Sequence, residues 1–145
     1  MRDGLDADAV RPSRDEIVDW ARELYAEGVD HKDAAAFAAV FAPGASLWFG
    51  NSPPVVGREA IQDAIAHFFT AFVALRHTPV GTWIDGDTVV LEAVVTYTRH
   101  DGGVVTVPAT TIFTLATAEG SEPSRPMVAE CRIYVDLTPL FAPNA

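Results

Sequence analysis

Few side chains in this chain combine a reactive type with a position where it could act. His77 is the first, since imidazole changes charge near neutral pH and can take or give a proton there. It follows a predicted helix and opens a predicted strand. Two readings stand side by side: a proton-transfer group, or a cap for the last carbonyls of that helix. Tyr97 and Arg99 close the inward row of a strand that is otherwise apolar on that side. Together they could grip a ligand oxygen. The alternatives are a core tyrosine and an arginine that snorkels at a strand end. These three are the candidate catalytic residues. Thr111 lies mid-strand among apolar residues, where an unpartnered hydroxyl costs about 1–3 kcal/mol, so it is a candidate pocket residue but not a base. Trp20 on the first helix is a ligand platform or plain packing. Asn51 sits beside two prolines, where Asn also forms turns. Phe49, Phe68, Phe72, Val95, Phe113 and Ile133 complete the candidate ligand lining.

Other polar groups have ordinary explanations. Asp30 and Asp33, next to His31, fit helix capping better than metal binding. His67 flanks a helix and His100 sits in a turn. No three-ligand metal constellation, glycine-rich phosphate loop or Gly-x-Ser-x-Gly motif is visible, so neither metal nor cofactor is expected. No Asp or Glu falls on the inner face of a predicted strand.

The elements that must position these residues follow from periodicity. Ser13-Arg14-Asp15-Glu16 is a capping box, and Ile17, Trp20, Ala21, Leu24 and Tyr25 form one apolar stripe until Gly28. A second helix starts at Asp30, which can cap it, with Ala34, Phe37, Ala38 and Phe41 as its stripe. Pro43-Gly44 stops it. A short strand over 45–50 precedes a loop over 51–54. A third helix is expected over 57–75, with Ile61, Ala64, Ile65, Phe68, Phe72 and Leu75 on one face. Strands are expected over 78–84, 88–99, 104–117 and 127–137, joined by Asp85-Gly86, by His100-Asp101-Gly102-Gly103 and by a polar loop over 119–126. This is an α+β pattern.

Period-two alternation assigns the faces. Val89, Leu91, Ala93, Val95 and Tyr97 should face the helices, as should Val107, Ala109, Thr111 and Phe113 on the next strand. The opposite face mixes Trp48, Val90, Val94, Ile112 and Tyr134 with Glu92, Thr96, Thr110, Thr114, Arg132 and Asp136. With all three helices committed to the first face, a second copy of the chain is the expected cover.

Composition narrows the partners. At 145 residues the chain is one domain, read as an acidic tail over 1–12 and a folded unit over 13–145. Twenty Asp and Glu against ten Lys and Arg give a net charge of −10, which argues against nucleic acid and anionic membrane surfaces. One cysteine, Cys131, forms no internal disulfide, and a reducing, cytoplasmic setting is expected. The first ten residues carry no apolar run of the secretory kind.

The element order and several local motifs resemble the nuclear-transport-factor-2-like superfamily, and its SnoaL-like branch in particular. The motifs are Phe37-Ala38-Ala39-Val40-Phe41-Ala42, Pro53-Pro54-Val55-Val56-Gly57-Arg58-Glu59-Ala60-Ile61, Asp101-Gly102 and Arg132-Ile133-Tyr134-Val135-Asp136. The resemblance spans about residues 13–141. It implies a cone-shaped α+β fold, three N-terminal helices on a curved mixed, mostly antiparallel sheet around an apolar cavity. It also implies a small apolar ligand, of the polycyclic kind, and an isomerase, cyclase or dehydratase. The alternative is a non-catalytic binding or accessory protein. The acid–base residues of the family's isomerases would fall near Phe49, Trp20 and Thr111. The Arg and two Asp of its epoxide hydrolases would fall near Ala93, Val95 and Ile133. Neither set is present, so the resemblance leaves the chemistry to His77, Tyr97 and Arg99.

Overall fold

The computed structural model describes residues 12–116 and 126–143. The expected acidic tail and most of the 119–126 loop lie outside them. Helix α1 (Arg14–Glu23) opens on the capping box: the Ser13 hydroxyl accepts the Glu16 N–H and the Glu16 carboxylate accepts the Ser13 N–H. Its helical path does not stop at Gly28. It widens into a π-helical turn over Leu24–Gly28 and tightens into a 3₁₀ turn over Val29–His31. Lys32, at φ 57°, then breaks the path. Helix α2 (Ala34–Ala39) starts only after that break, and Asp33, not Asp30, caps it through the Ala36 N–H. Asp30 is thereby free for another use.

The strands are β1 (Phe41–Phe49), β2 (Val55–Val56), β3 (Ala74–Asp85), β4 (Thr88–Thr98), β5 (Val104–Leu115) and β6 (Val128–Val135). Their order is β2-β1-β6-β5-β4-β3, antiparallel except for the parallel β1–β6 pair. Helix α3 (Arg58–Phe69) lies between β2 and β3, and a one-turn helix, α4 (Thr138–Phe141), follows β6. The fold class read from the sequence is the one observed.

Two boundaries and one strand register differ from the periodicity. Helix α3 ends at Phe69, not at residue 75. The carbonyls that follow it are taken from outside the helix: His100 Nε2 lies 2.8 Å from the Thr70 carbonyl, and Lys32 Nζ donates to those of Phe72 (3.0 Å) and Val73 (3.3 Å). Phe72 and Leu75 stay buried, because apolar spacing of three suits either state. β1 begins at Phe41, four residues early, and passes through Pro43-Gly44 by an irregular register against β6 between Phe41 and Ser46. In β3 a bulge between Pro79 and Gly81 shifts the pairing with β4. Before it His77 and Leu75 stand opposite Val95 and Tyr97; after it Thr82 and Ile84 stand opposite Leu91 and Val89. The bulge thus exchanges odd for even positions on the inner face, which settles where His77 points.

The core lies between the helices and the inner sheet face. Phe37, Phe41, Phe72 and Phe113 are fully buried, and β4 alternates strictly, with Val89, Leu91, Ala93, Val95 and Tyr97 inside. Burying each such side chain contributes about 1.5–3 kcal/mol. On the outer face Trp83 and Tyr134 are each 52% exposed.

Candidate functional site

A cavity of about 40 Å³ lies between the sheet and the helices. Its wall is mostly aromatic and aliphatic, with Phe37, Phe49, Phe68, Phe69, Leu75 and Val95 prominent. Four polar side chains reach it: Tyr25, His77, Tyr97 and Thr111. The volume holds one or two water molecules. A ring system does not fit unless side chains rotate.

His77 is not a helix cap. Asp30, released by the break at Lys32, reaches across to β3. Its Oδ1 and Oδ2 accept the His77 backbone N–H at 3.1 and 2.9 Å, and its Oδ1 lies 2.7 Å from His77 Nδ1. Both side chains are mostly buried, 12% and 15% exposed. An ionised carboxylate only accepts, so Nδ1 carries the proton and the lone pair of the neutral ring sits on Nε2. Among the described residues nothing donates to Nε2. The carboxylate thereby fixes the tautomer of the neutral ring.

Tyr25 is the second unexpected member. Its place on the apolar stripe of α1 suggested packing alone. The π-helical turn aims its ring to 4.5 Å from the His77 ring, and its hydroxyl donates to Thr111 Oγ1 at 3.0 Å. That bond satisfies the buried threonine and leaves its own hydroxyl proton for a further acceptor. Burial is the main reason the Tyr25 phenol is held far above its ordinary range. Tyr97 stands on β4 opposite Leu75, diagonal to His77, with its ring edge-on to Phe72 at 5.0 Å. Burial first, and then the Asp30 carboxylate, pushes its phenol up to about 12. Its hydroxyl has no partner among the described residues, so it remains a neutral donor. His77, with one ring nitrogen free to accept, and Tyr97, with a hydroxyl free to donate, thus line the same cavity.

The sequence-derived candidates divide. His77, Tyr97, Thr111, Phe49, Phe68, Val95 and Ile133 line the cavity together. Arg99, Trp20, Asn51, Phe72 and Phe113 do not. Arg99 donates to both carboxylate oxygens of Asp101 (3.2 and 2.9 Å) and to the Pro139 carbonyl (3.1 Å), which ties the β4–β5 hairpin to α4. The Gly103 N–H, and then Arg99, hold Asp101 below the usual carboxylate range. Trp20 packs edge-on to Phe113 at 5.4 Å, with its buried indole N–H unpartnered among the described residues. Asn51 is exposed and lines an outer groove. Phe72 and Phe113 back the wall from behind. Arg132 and Asp136 form no pair with each other: Arg132 bonds Glu130 at 2.9 Å and stacks on Trp48, and Asp136 accepts the Thr138 N–H.

What sequence reasoning missed was Asp30 and Tyr25. Asp30 lies 47 residues before His77 and on no strand, so face assignment could not find it. Among the described residues no group of three or more His, Cys, Asp or Glu is placed to hold a metal ion, and no helix is long and apolar enough to cross a membrane.

Comparison with known proteins supports the same architecture. A SnoaL-like polyketide cyclase candidate from Jannaschia sp. CCS1 is 25% identical over 89% of this chain and 94% of its own, with a TM-score of 0.69. A polyketide cyclase candidate from Xanthomonas campestris pv. campestris is 16% identical over 89% and 96%, with a TM-score of 0.74. A hypothetical protein with a ketosteroid isomerase-like fold from Catenulispora acidiphila DSM 44928, solved with trimethylamine, is 20% identical over 90% and 92%, with a TM-score of 0.67. Curated proteins give no significant match. The family model of the SnoaL-like domain matches residues 21–120, more than half of the chain and the segment that carries Tyr25, Asp30, His77, Tyr97 and Thr111, and the chain belongs to that family.

Proposed function

We propose that this protein moves a proton on a neutral carbonyl compound bound in the cavity, as an isomerase, cyclase or dehydratase does, without a cofactor. The observation that carries this reading is the Asp30–His77 pair, on the wall of the same cavity as Tyr97. His77 Nε2 takes a proton from the carbon next to the carbonyl, Asp30 steadies the imidazolium, and the Tyr97 hydroxyl donates to the developing enolate oxygen. Thr111, supported by Tyr25, offers a second donor. Among the described residues no lysine or arginine lines the cavity, so nothing there favours an anionic ligand.

The test is exchange of the α-protons of cyclohexanone in D₂O, followed by NMR. The protein should accelerate exchange over buffer, and His77→Gln should lower that acceleration by about 10²-fold or more. Equal rates with and without protein overturn the reading.

A second reading, a non-catalytic accessory protein, draws on the cavity volume of about 40 Å³, which phenyl rings have almost filled. It predicts no acceleration. Under either reading we propose a homodimer through the outer sheet face, because Trp83 on β3 and Tyr134 on β6 are half exposed on the face that Trp48 shares. Trp48→Glu should give a monomer by light scattering; a dimeric variant contradicts this. A cytoplasmic location belongs to the same proposal, supported by the single buried thiol of Cys131 and tested by cell fractionation.

A further inference from the structure

The cavity has a neighbour. A groove of about 660 Å³ runs along the outside of the sheet end, between the Gly50-Asn51-Ser52 turn and α4. It shares two residues with the cavity wall, Phe49 and Val135. Common to both linings, these two residues mark where the cavity and the groove meet. The groove is built and not a loose flap. Arg99 holds the Pro139 carbonyl at 3.1 Å, the Thr138 N–H donates to Asp136 at 3.0 Å, and Leu140 is buried in the core at 4% exposed. Opposite, the Gly50 N–H bonds the Ile133 carbonyl at 2.9 Å, which fixes the turn to β6. Apolar groups of Phe49, Val135, Leu137 and Phe141 line it, and Phe141 is left 60% exposed, unusual for a phenylalanine.

The volumes argue for joint use. Small-molecule sites commonly span about 300–1,000 Å³, and the cavity alone falls far below that. The groove alone has the size, but its one carboxylate, Asp136, is turned to the Thr138 N–H, and the groove holds no histidine or tyrosine. We propose that the two are halves of one ligand site: the carbonyl head enters the cavity past Phe49 and Val135, and an uncharged apolar tail lies in the groove against Phe141 and Leu137. This rests on the proton-transfer reading for the head and adds the ligand class: a neutral ketone bearing an extended hydrocarbon substituent, not a compact one.

The test compares cyclohexanone with 4-hexylcyclohexanone in the same exchange assay. The hexyl chain leaves the ring opposite the carbonyl, as the arrangement requires. Chemistry is slow here, so KM follows binding. With about half the chain buried, KM should fall on the order of 30-fold on adding the tail. Phe141→Ser and Ser52→Trp, both at exposed positions, should bring the ratio of the two KM values close to one. Exchange of both ketones with equal KM overturns the groove and leaves the cavity chemistry standing. A ratio unchanged in both variants overturns the groove as the tail's place. Exchange of neither ketone overturns the cavity reading and the groove with it.

Discussion

Replacing Asp30 by Asn should turn the His77 ring electronically inside out without moving it far. In the native protein the carboxylate accepts three hydrogen bonds from one residue, two from the backbone N–H and one from Nδ1. A hydrogen bond to a charged group contributes about 1.5–3 kcal/mol. At about 2 kcal/mol the Nδ1–H tautomer is favoured roughly 30-fold, since each 1.4 kcal/mol is a factor of ten. Asparagine offers one acceptor and one donor. Its Oδ1 is claimed by the His77 backbone N–H, so its amide N–H meets Nδ1, and the ring proton moves to Nε2. The lone pair then leaves the cavity. Long-range ¹H–¹⁵N spectra distinguish the tautomers directly. Wild type should show the Nδ1–H form and Asp30→Asn the Nε2–H form, with a stability loss of about 2 kcal/mol in urea. An Nε2–H ring in the wild type, or an unchanged tautomer in the variant, would refute the reasoning.

Three further outcomes follow from the same geometry. Tyr25→Phe strands the Thr111 hydroxyl in the core and should cost about 1–3 kcal/mol by urea unfolding, most of it regained in Tyr25→Phe with Thr111→Val. Tyr97 has a folded-state pKa above its unfolded value of about 10, so its contribution is fully present below pH 10 and lost as pH rises through about 12. That loss is roughly 2 kcal/mol, in the same direction as Tyr25, and Tyr97→Phe should show a flatter decline in denaturation between pH 9 and 12. Arg99→Ala releases the Pro139 carbonyl, and amide exchange at Leu140 and Phe141 should speed about tenfold while that in β4 stays slow.

The sheet was legible because its inner rows are almost uninterrupted. Val89 through Tyr97 could face only one way, and the structure buries all five odd positions. Helix α1 was legible from its capping box, but its end was not. Gly28 suggested a stop, whereas the chain passes through it in a π-helical and a 3₁₀ turn held by long-range packing of Tyr25 and Val29. The site was half visible for the same reason. Tyr97 and Thr111 sit on strands where alternation reports direction, whereas the direction of His77 is hidden from the pattern by the bulge between Pro79 and Gly81. Asp30 sits on an irregular turn whose direction is set by Lys32 at φ 57° and by bonds to carbonyls 40 residues away. Capping chemistry alone could not tell Asp30 from Asp33. Arg99 was legible as an inward-row residue at a strand end, but its guanidinium turns to Asp101 and α4, which a linear pattern cannot show.

The central claim is that His77 and Tyr97 act on one carbonyl in one cavity. A double-mutant cycle on cyclohexanone exchange tests it most directly. With His77 present, Tyr97→Phe should slow exchange by about 10-fold to 10²-fold, the loss of one donor to the enolate oxygen. In His77→Gln, where proton removal has already failed, the same substitution should change almost nothing. The same factor from Tyr97→Phe in both backgrounds would contradict the account.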